Sequence, residues 1–253
     1  MKTVITAILL AWSCAVQAQD VLVLGEVHDN PAHHLAQARE VAALGPKAVI
    51  YEMLTRDQAD GAVFDTGDEA ALASVLQWAE SGWPEFAMYY PLFAAAPKAR
   101  IYGAGLPRDA ARAAIEGSVA DVFGPEAAAY GLEQPLSEDQ QAAREALQFE
   151  AHCRGLPKEI MPGMVAIQRL RDAMLARAVR RALRETGGPV AVITGNGHAR
   201  RDWGMPAVLA LVAPEADIRV IGQTEDSAPL AGVFDVVLSS AAVARPDPCA
   251  AFR

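Results

Sequence analysis

The stretch VLVLGEVHDNPAHHLAQAREVAALGP (21–46), followed closely by AVIYE (48–52), decides the fold. VLVLG (21–25) is a run of β-branched and aliphatic residues short enough for a strand and without polar alternation, so both of its faces should be covered. Asn30 is a good N-cap and Pro31 suits the first position of a helix, where its missing N–H costs nothing. A helix is therefore expected over 32–44, stopped by Gly45-Pro46. A second apolar run at 48–52 completes a strand–helix–strand unit, the signature of a parallel sheet.

The same grammar continues along the chain. RIYGAG (100–105), PVAVITG (189–195), DIRVIG (217–222) and VFDVVL (233–238) are further strand candidates. Helices are expected at 108–122, at 138–151 behind the Ser137/Gln140 capping spacing, and at 164–186, where Val165, Leu170, Met174, Val179 and Leu183 recur at roughly helical intervals. Residues 55–96, interrupted by Gly61, Gly67, Gly82 and Pro84, are expected to be a helical insertion in several pieces, and 124–163 an irregular connector. The expected fold is α/β: a mostly parallel sheet flanked by helices, with a helical insertion.

The first 18 of the 253 residues stand apart. Lys2, the short apolar stretch VITAILLAW (4–12) and the small residues Val16 and Ala18 form a signal-peptide pattern with cleavage before Gln19. Cys14 offers a lipoprotein alternative, which Trp12 fits badly. The remaining 19–253 is expected to be a single domain, exported to the periplasm or outer membrane. The net charge of −9, or −10 once Lys2 is gone, argues against a nucleic-acid partner. Cys153 and Cys249 remain, and in an oxidising compartment they can pair or stay apart.

In a parallel sheet, ligands gather beyond the carboxyl ends of the strands. The first strand delivers Glu26, His28 and Asp29, the second Glu52, the third Arg108, and the fourth His198 from GNGHARRDWG (195–204). Singly, each is more often a solvated or capping residue, but four strands offering them at one edge make a candidate cleft. Glu52 follows an apolar run and needs a partner such as Arg108 or a histidine. Glu26, His28, Glu52 and His198 suit either acid–base catalysis or a divalent metal, though no close-spaced zinc motif is present. Gly195 and Gly197 remove Cβ atoms beside His198. His33 and His34 divide between solvated surface and the rim of the site.

A second cluster, HCRGLPKEIMPGM (152–164), contains His152, Cys153, Met161 and Met164. Imidazole, thiolate and thioether are all haem-iron ligands, yet no CxxCH attachment motif exists, and on composition alone a helix end with core methionines explains the residues better. Arg154, Lys158, Arg169 and Arg171 suit propionates or a solvated helix face. WPEFAMYYPLFAAA (83–96) places Tyr89 and Tyr90 in an apolar setting, one for packing and one for exposure.

Through LGEVHDNPAHH, GNGHARRDWG, HCRGLP and AIQRLRDAMLAR (166–177), the sequence resembles the ChaN-like haem-binding uptake proteins of the Tiki/TraB/erythromycin-esterase superfamily, from the first strand to about residue 222. The resemblance implies an exported haem-binding protein of haem or iron uptake, with outer-membrane uptake components as partners. It implies haem held at a homodimer interface, with tyrosine on the iron and histidine near the propionates. Tyr90, His152, Met161, Met164 and Arg108 are the haem-binding candidates. The hydrolases of the superfamily imply an alternative in which Glu26, His28, Glu52 and His198 act on a substrate. A third reading keeps those four only as a buried polar network.

Overall fold

Every residue of the opening strand is buried, as its unbroken apolar run requires. A computed structural model describes residues 19–247, 249 and 250. The expected leader and Cys14 lie outside them. The first half contains β1 (Val21–Glu26), α1 (Pro31–Leu44), β2 (Ala48–Thr55), β3 (Asp60–Ala62), α2 (Glu69–Val75), a 3-10 turn (Trp78–Glu80), α3 (Phe86–Ala95) and β4 (Arg100–Gly105). The second contains α4 (Arg108–Glu116), α5 (Val119–Phe123), α6 (Glu138–Ala151), another 3-10 turn (Lys158–Ile160), α7 (Met161–Thr186), β5 (Val190–Gly195), α8 (Asn196–Ala199), α9 (Met205–Val212), β6 (Ile218–Glu225) and β7 (Val236–Ser240).

Within the described residues the strands form one seven-stranded sheet in the order β3-β4-β2-β5-β1-β6-β7. Its pairs are parallel except for β3, which runs antiparallel to β4 at the edge. The period of two along β1 sends Val21 and Val23 to one face and Leu22 and Leu24 to the other. On the first face they meet α4, α5, α7 and α9, and on the second α1, α2 and α3. Asn30 caps α1 through Oδ1, which accepts the Ala32 N–H, and Gly45 ends the helix in the left-handed region, both as expected.

Adjacent strands β1 and β5 send their following helices to opposite faces: α1 lies with the second cluster and α9 with the first. The chain thus diverges above the carboxyl ends of these two strands and leaves a crevice between the diverging loops.

Several local expectations change. The insertion at 55–96 is not wholly helical: β2 runs on to Thr55 and β3 turns back onto β4. A three-residue edge strand is too short to show alternation. The helix expected at 108–122 breaks at Gly117, whose ψ of −111° leaves the helical region, and Ser118 then caps α5. Helix α7 starts at Met161, with Pro162 tolerated in its first turn. The last strand starts at Val236, because Arg201 claims the preceding residues: its N–H donates to the Val233 carbonyl and its guanidinium pairs with Asp235. Cys153 and Cys249 are joined by a disulfide with their Cα atoms 5.4 Å apart, tying the α6–α7 turn to the C-terminal segment.

Candidate functional site

The site begins with Glu26, the last residue of β1, whose side chain points to the α1–α3 face. There it is buried and surrounded by donors. Oε1 accepts from Tyr89 Oη at 3.0 Å and from His28 Nδ1 at 2.8 Å, while His34 Nε2 stands 3.5 Å from Oε2. Burial pushes the Glu26 carboxyl up, but hydrogen bonding from His28 and the proximity of His34 outweigh it and hold the group at about 2. Tyr89 is pushed upward by burial and by the adjacent carboxylate, so it serves as a donor. Its ring also packs on His34 at 4.1 Å between centroids.

Across the sheet edge, on the α7 face, a second set forms around Glu52. Its Oε2 accepts from Thr194 Oγ1 at 2.6 Å and from the Gly195 N–H at 2.8 Å. Its Oε1 takes neither bond and lies 3.7 Å from His198 Nε2. His198 Nδ1 meets Asp172 Oδ1 of α7 at 2.7 Å. Burial lowers the His198 pKa, but the charges of Glu52 and Asp172 more than reverse this and bring it up to about 9. Burial raises the Glu52 carboxyl, yet the two imidazoles, Thr194 and Gly195 carry it below the ordinary value.

His28 joins the two sets. It is bonded to Glu26, it feels the charge of Glu52, and its pKa is raised by these carboxylates against the opposing effect of burial. Trp83 packs on its ring at 4.7 Å, yet a third of the His28 side chain stays open to solvent. The result is an alternating row, Asp172, His198, Glu52, His28 and Glu26, laid across the crevice between β5 and β1. Such a row suits proton transfer to and from a group entering beside His28 or Glu52 Oε1.

Gly195 makes this passage open. A Cβ there would lie 2.8 Å from His28 Nε2, so the glycine serves His28 rather than His198, and Gly197 has nothing within 4 Å of its Cβ position. Arg108 is also not the partner of Glu52. It stands exposed at the start of α4. His33 and His34 are both buried, correcting the expectation of surface or rim. His33 Nδ1 accepts the Val27 N–H at 2.9 Å, which fixes the loop carrying His28, and burial lowers its pKa in keeping with a neutral ring. Among the described residues no group of three or more His, Cys, Asp or Glu side chains is disposed to hold a metal. Glu26, His28, Glu52 and His198 are instead engaged with one another and with Tyr89, Thr194 and Asp172, so the expected divalent site is not supported.

Sequence reasoning missed Tyr89, Asp172 and Thr194 as members of the site, whereas His34 stood among its rim candidates. Asp172 had a faint signal, being a carboxylate on the apolar stripe of α7 between Leu170 and Ala173.

The comparisons with known proteins now bear on this geometry. The family described as "Haem-binding uptake, Tiki superfamily, ChaN" matches residues 12–209, most of the chain. The protein belongs to this haem-binding ChaN family. Among solved structures, one described as "Cofacial heme binding to ChaN of Campylobacter jejuni" is similar at 20% identity and a TM-score of 0.60, with 84% of each chain covered. That likeness bears on the fold. The type III effector HopBA1 aligns at 13% identity, TM-score 0.46 and 88% of each chain. An erythromycin esterase, EreC, aligns at 14% identity and TM-score 0.38, covering 83% of this chain and 71% of that one. No curated protein matches.

For a ChaN-family chain the haem donors matter, and the five expected here do not come together. Met161 is buried in the core, and Tyr90 lies on α3, on the opposite sheet face from α7 and the α6 helix that packs on it. Tyr90 and His152 are each half-buried. Tyr51, Tyr89, Tyr102 and Tyr130 are buried, whereas Tyr90 is half-buried, with its hydroxyl donating to the Thr66 carbonyl at 2.8 Å. His152 ends α6 with Nδ1 2.8 Å from the Gln148 carbonyl. A carbonyl can only accept, so Nδ1 is the donor in this bond.

Proposed function

We propose that this ChaN-family protein is an exported haem-binding protein of haem or iron uptake, with Tyr90 as the iron ligand. The observation that carries this reading is the exposure of the tyrosines: Tyr90 alone among the five stands outside the buried set. Its one hydrogen bond, to a main-chain carbonyl, can be given up to water when the phenol turns to a metal. Phe86, one turn earlier, gives an apolar surface beside a depression that also contains Ala70, Ala73 and Ala87.

Asp68, Glu69 and Glu85 flank that depression and repel propionates, so the chain alone supplies only part of a site. A homodimer supplies the rest, with the basic α6–α7 turn and His152 of a second copy facing the propionates or the iron. When bound, haem would bring its iron and a large apolar surface; the residues here supply a phenol, an imidazole and an apolar floor. The Cys153–Cys249 disulfide suits an oxidising compartment and supports export. Outer-membrane uptake components are the partners this role requires. The test is a haem titration of three proteins. The wild type and Cys153→Ala should give a saturable Soret band, and Tyr90→Phe should lose it; an undiminished band in Tyr90→Phe removes the phenol from the iron.

A second reading is favoured by the row of buried acids and imidazoles, which surface capture of haem does not need. In it, Glu52 and His28 move protons for hydrolysis, with His198 held by Asp172. His198→Ala should then abolish turnover of a responsive ester while the far-ultraviolet circular dichroism is kept. Equal stability loss with no activity in either protein leaves only a structural network.

A further inference from the structure

A cleft of about 790 Å³ opens beside Glu52 between β2, β4, α4 and α7. Its size is that of a small-molecule site. Neither a tyrosine nor a histidine lines it, and Met53, its one sulfur donor, is buried, so the cleft offers haem iron none of the usual axial donors.

Two arginines line this cleft without a carboxylate partner. Arg171, on α7, is half-buried and close enough to His198 to oppose its charge. Among the described residues it is the one lysine or arginine that is not exposed yet has no hydrogen bond or ion pair. Elsewhere Arg100, Arg181 and Arg200 are answered by Glu185, Asp60 and Asp202. A half-buried cation left unanswered beside a second positive group loses hydration without return. Arg108 enters from the opposite wall. Its guanidinium extends to Gly82, where a Cβ would lie 3.3 Å from Nη2, so it reaches across the cleft. Residues 107–110 line the same wall, and Pro107 gives α4 no side-chain cap, so the first turn adds its positive dipole end.

The rest of the lining narrows the ligand. Trp83, Leu106, Pro107 and Leu175 give apolar wall, while Asp57, Glu80 and Asp109 are exposed carboxylates at the mouth and Glu52 adds a buried one. These acids oppose a second negative charge on whatever enters. We propose that the cleft binds a small monocarboxylate with an apolar body, its carboxylate held by Arg171 and Arg108, at a place separate from haem. The inference rests on the cleft and its arginines and not on the hydrolytic reading, because binding needs no turnover.

Isothermal titration of the full exported chain with benzoate, and with uncharged benzamide of the same shape, tests it. Benzoate should bind at one saturable site and benzamide at least tenfold more weakly. Arg171→Gln should weaken benzoate at least tenfold, as expected for the loss of one charge-assisted hydrogen bond. Arg171→Lys should lose less, and Arg112→Gln, exposed on α4 outside the cleft, should lose nothing. Thermal melts of each variant separate misfolding from lost contact. No saturable benzoate binding, equal affinity for benzamide, or unchanged affinity in a folded Arg171→Gln protein would overturn the proposal. Displacement of benzoate by haem would overturn the separate site. Benzoate binding without ester turnover would count against hydrolysis alone.

Discussion

At the scale of single residues, the site depends on a missing atom. His28 passes over the end of β5 because Gly195 has no Cβ, and only there can it sit between Glu26 and Glu52. Gly195→Ala should push the ring away from its carboxylates. The His28 pKa, raised in the native protein, should then fall back toward 6.5, as followed by its imidazole proton resonances over a pH series. An unchanged titration would mean that the ring has another way past β5.

The same residues set the pH dependence of stability. Glu26 is held at about 2 against an ordinary 4.5, so its contribution is complete above 4.5 and is lost as pH falls toward 2. His198 is raised from 6.5 to about 9, so its contribution is complete below 6.5 and is lost as pH rises through 9. Denaturant unfolding should therefore show greatest stability between about pH 4.5 and 6.5 from these two groups. Replacing His198 with Gln should flatten the alkaline decline. It should also cost about 3–5 kcal/mol near neutrality, because Glu52 and Asp172 lose the cation between them. A variant with the same alkaline decline would place the responsible proton elsewhere.

At the scale of elements, α7 is the longest lever in the molecule. Its 26 residues span about 39 Å, roughly twice the six residues of β5, so one end must overshoot the sheet. The α6–α7 turn at the start of α7 is clamped by Cys153–Cys249, across a sequence separation of 96. Closing a loop of that size restricts the unfolded chain, so Cys153→Ser with Cys249→Ser should lower the unfolding free energy by roughly 2–4 kcal/mol. Denaturant midpoints with and without reductant measure this, and a reductant effect on the double variant would point away from this bond.

Legibility also varied by element. The strand runs at 21–25, 48–52, 100–105 and 189–195 and the Asn30-Pro31 start of α1 stood in the sequence because burial on both faces and helix capping are local demands. The break at Gly117 and the offset of β7 did not, since they depend on Ser118 and on Arg201 reaching Asp235 from 34 residues away. Glu26, His28, Glu52 and His198 could be placed at one edge from their strand-end positions. Tyr89 and Asp172 could not, because helices packed from either face bring them in, and no spacing within one segment encodes that.

At the scale of the whole molecule, topology explains where everything meets. Strands β1 and β5 are neighbours whose chains leave to opposite faces, and the ionisable row lies across the crevice they open. The proposed haem ligands lie elsewhere, on α3 and at the α6–α7 turn, on opposite faces of the sheet. A single copy therefore presents phenol and imidazole apart, and capture should bring two copies together. The most direct measurement is a haem titration of residues 19–253 followed by absorbance and size-exclusion chromatography on the same samples. The account predicts a saturable Soret shift accompanied by conversion of monomer to dimer, both absent in Tyr90→Phe. A chain that shows no saturable Soret shift at any haem concentration would contradict it.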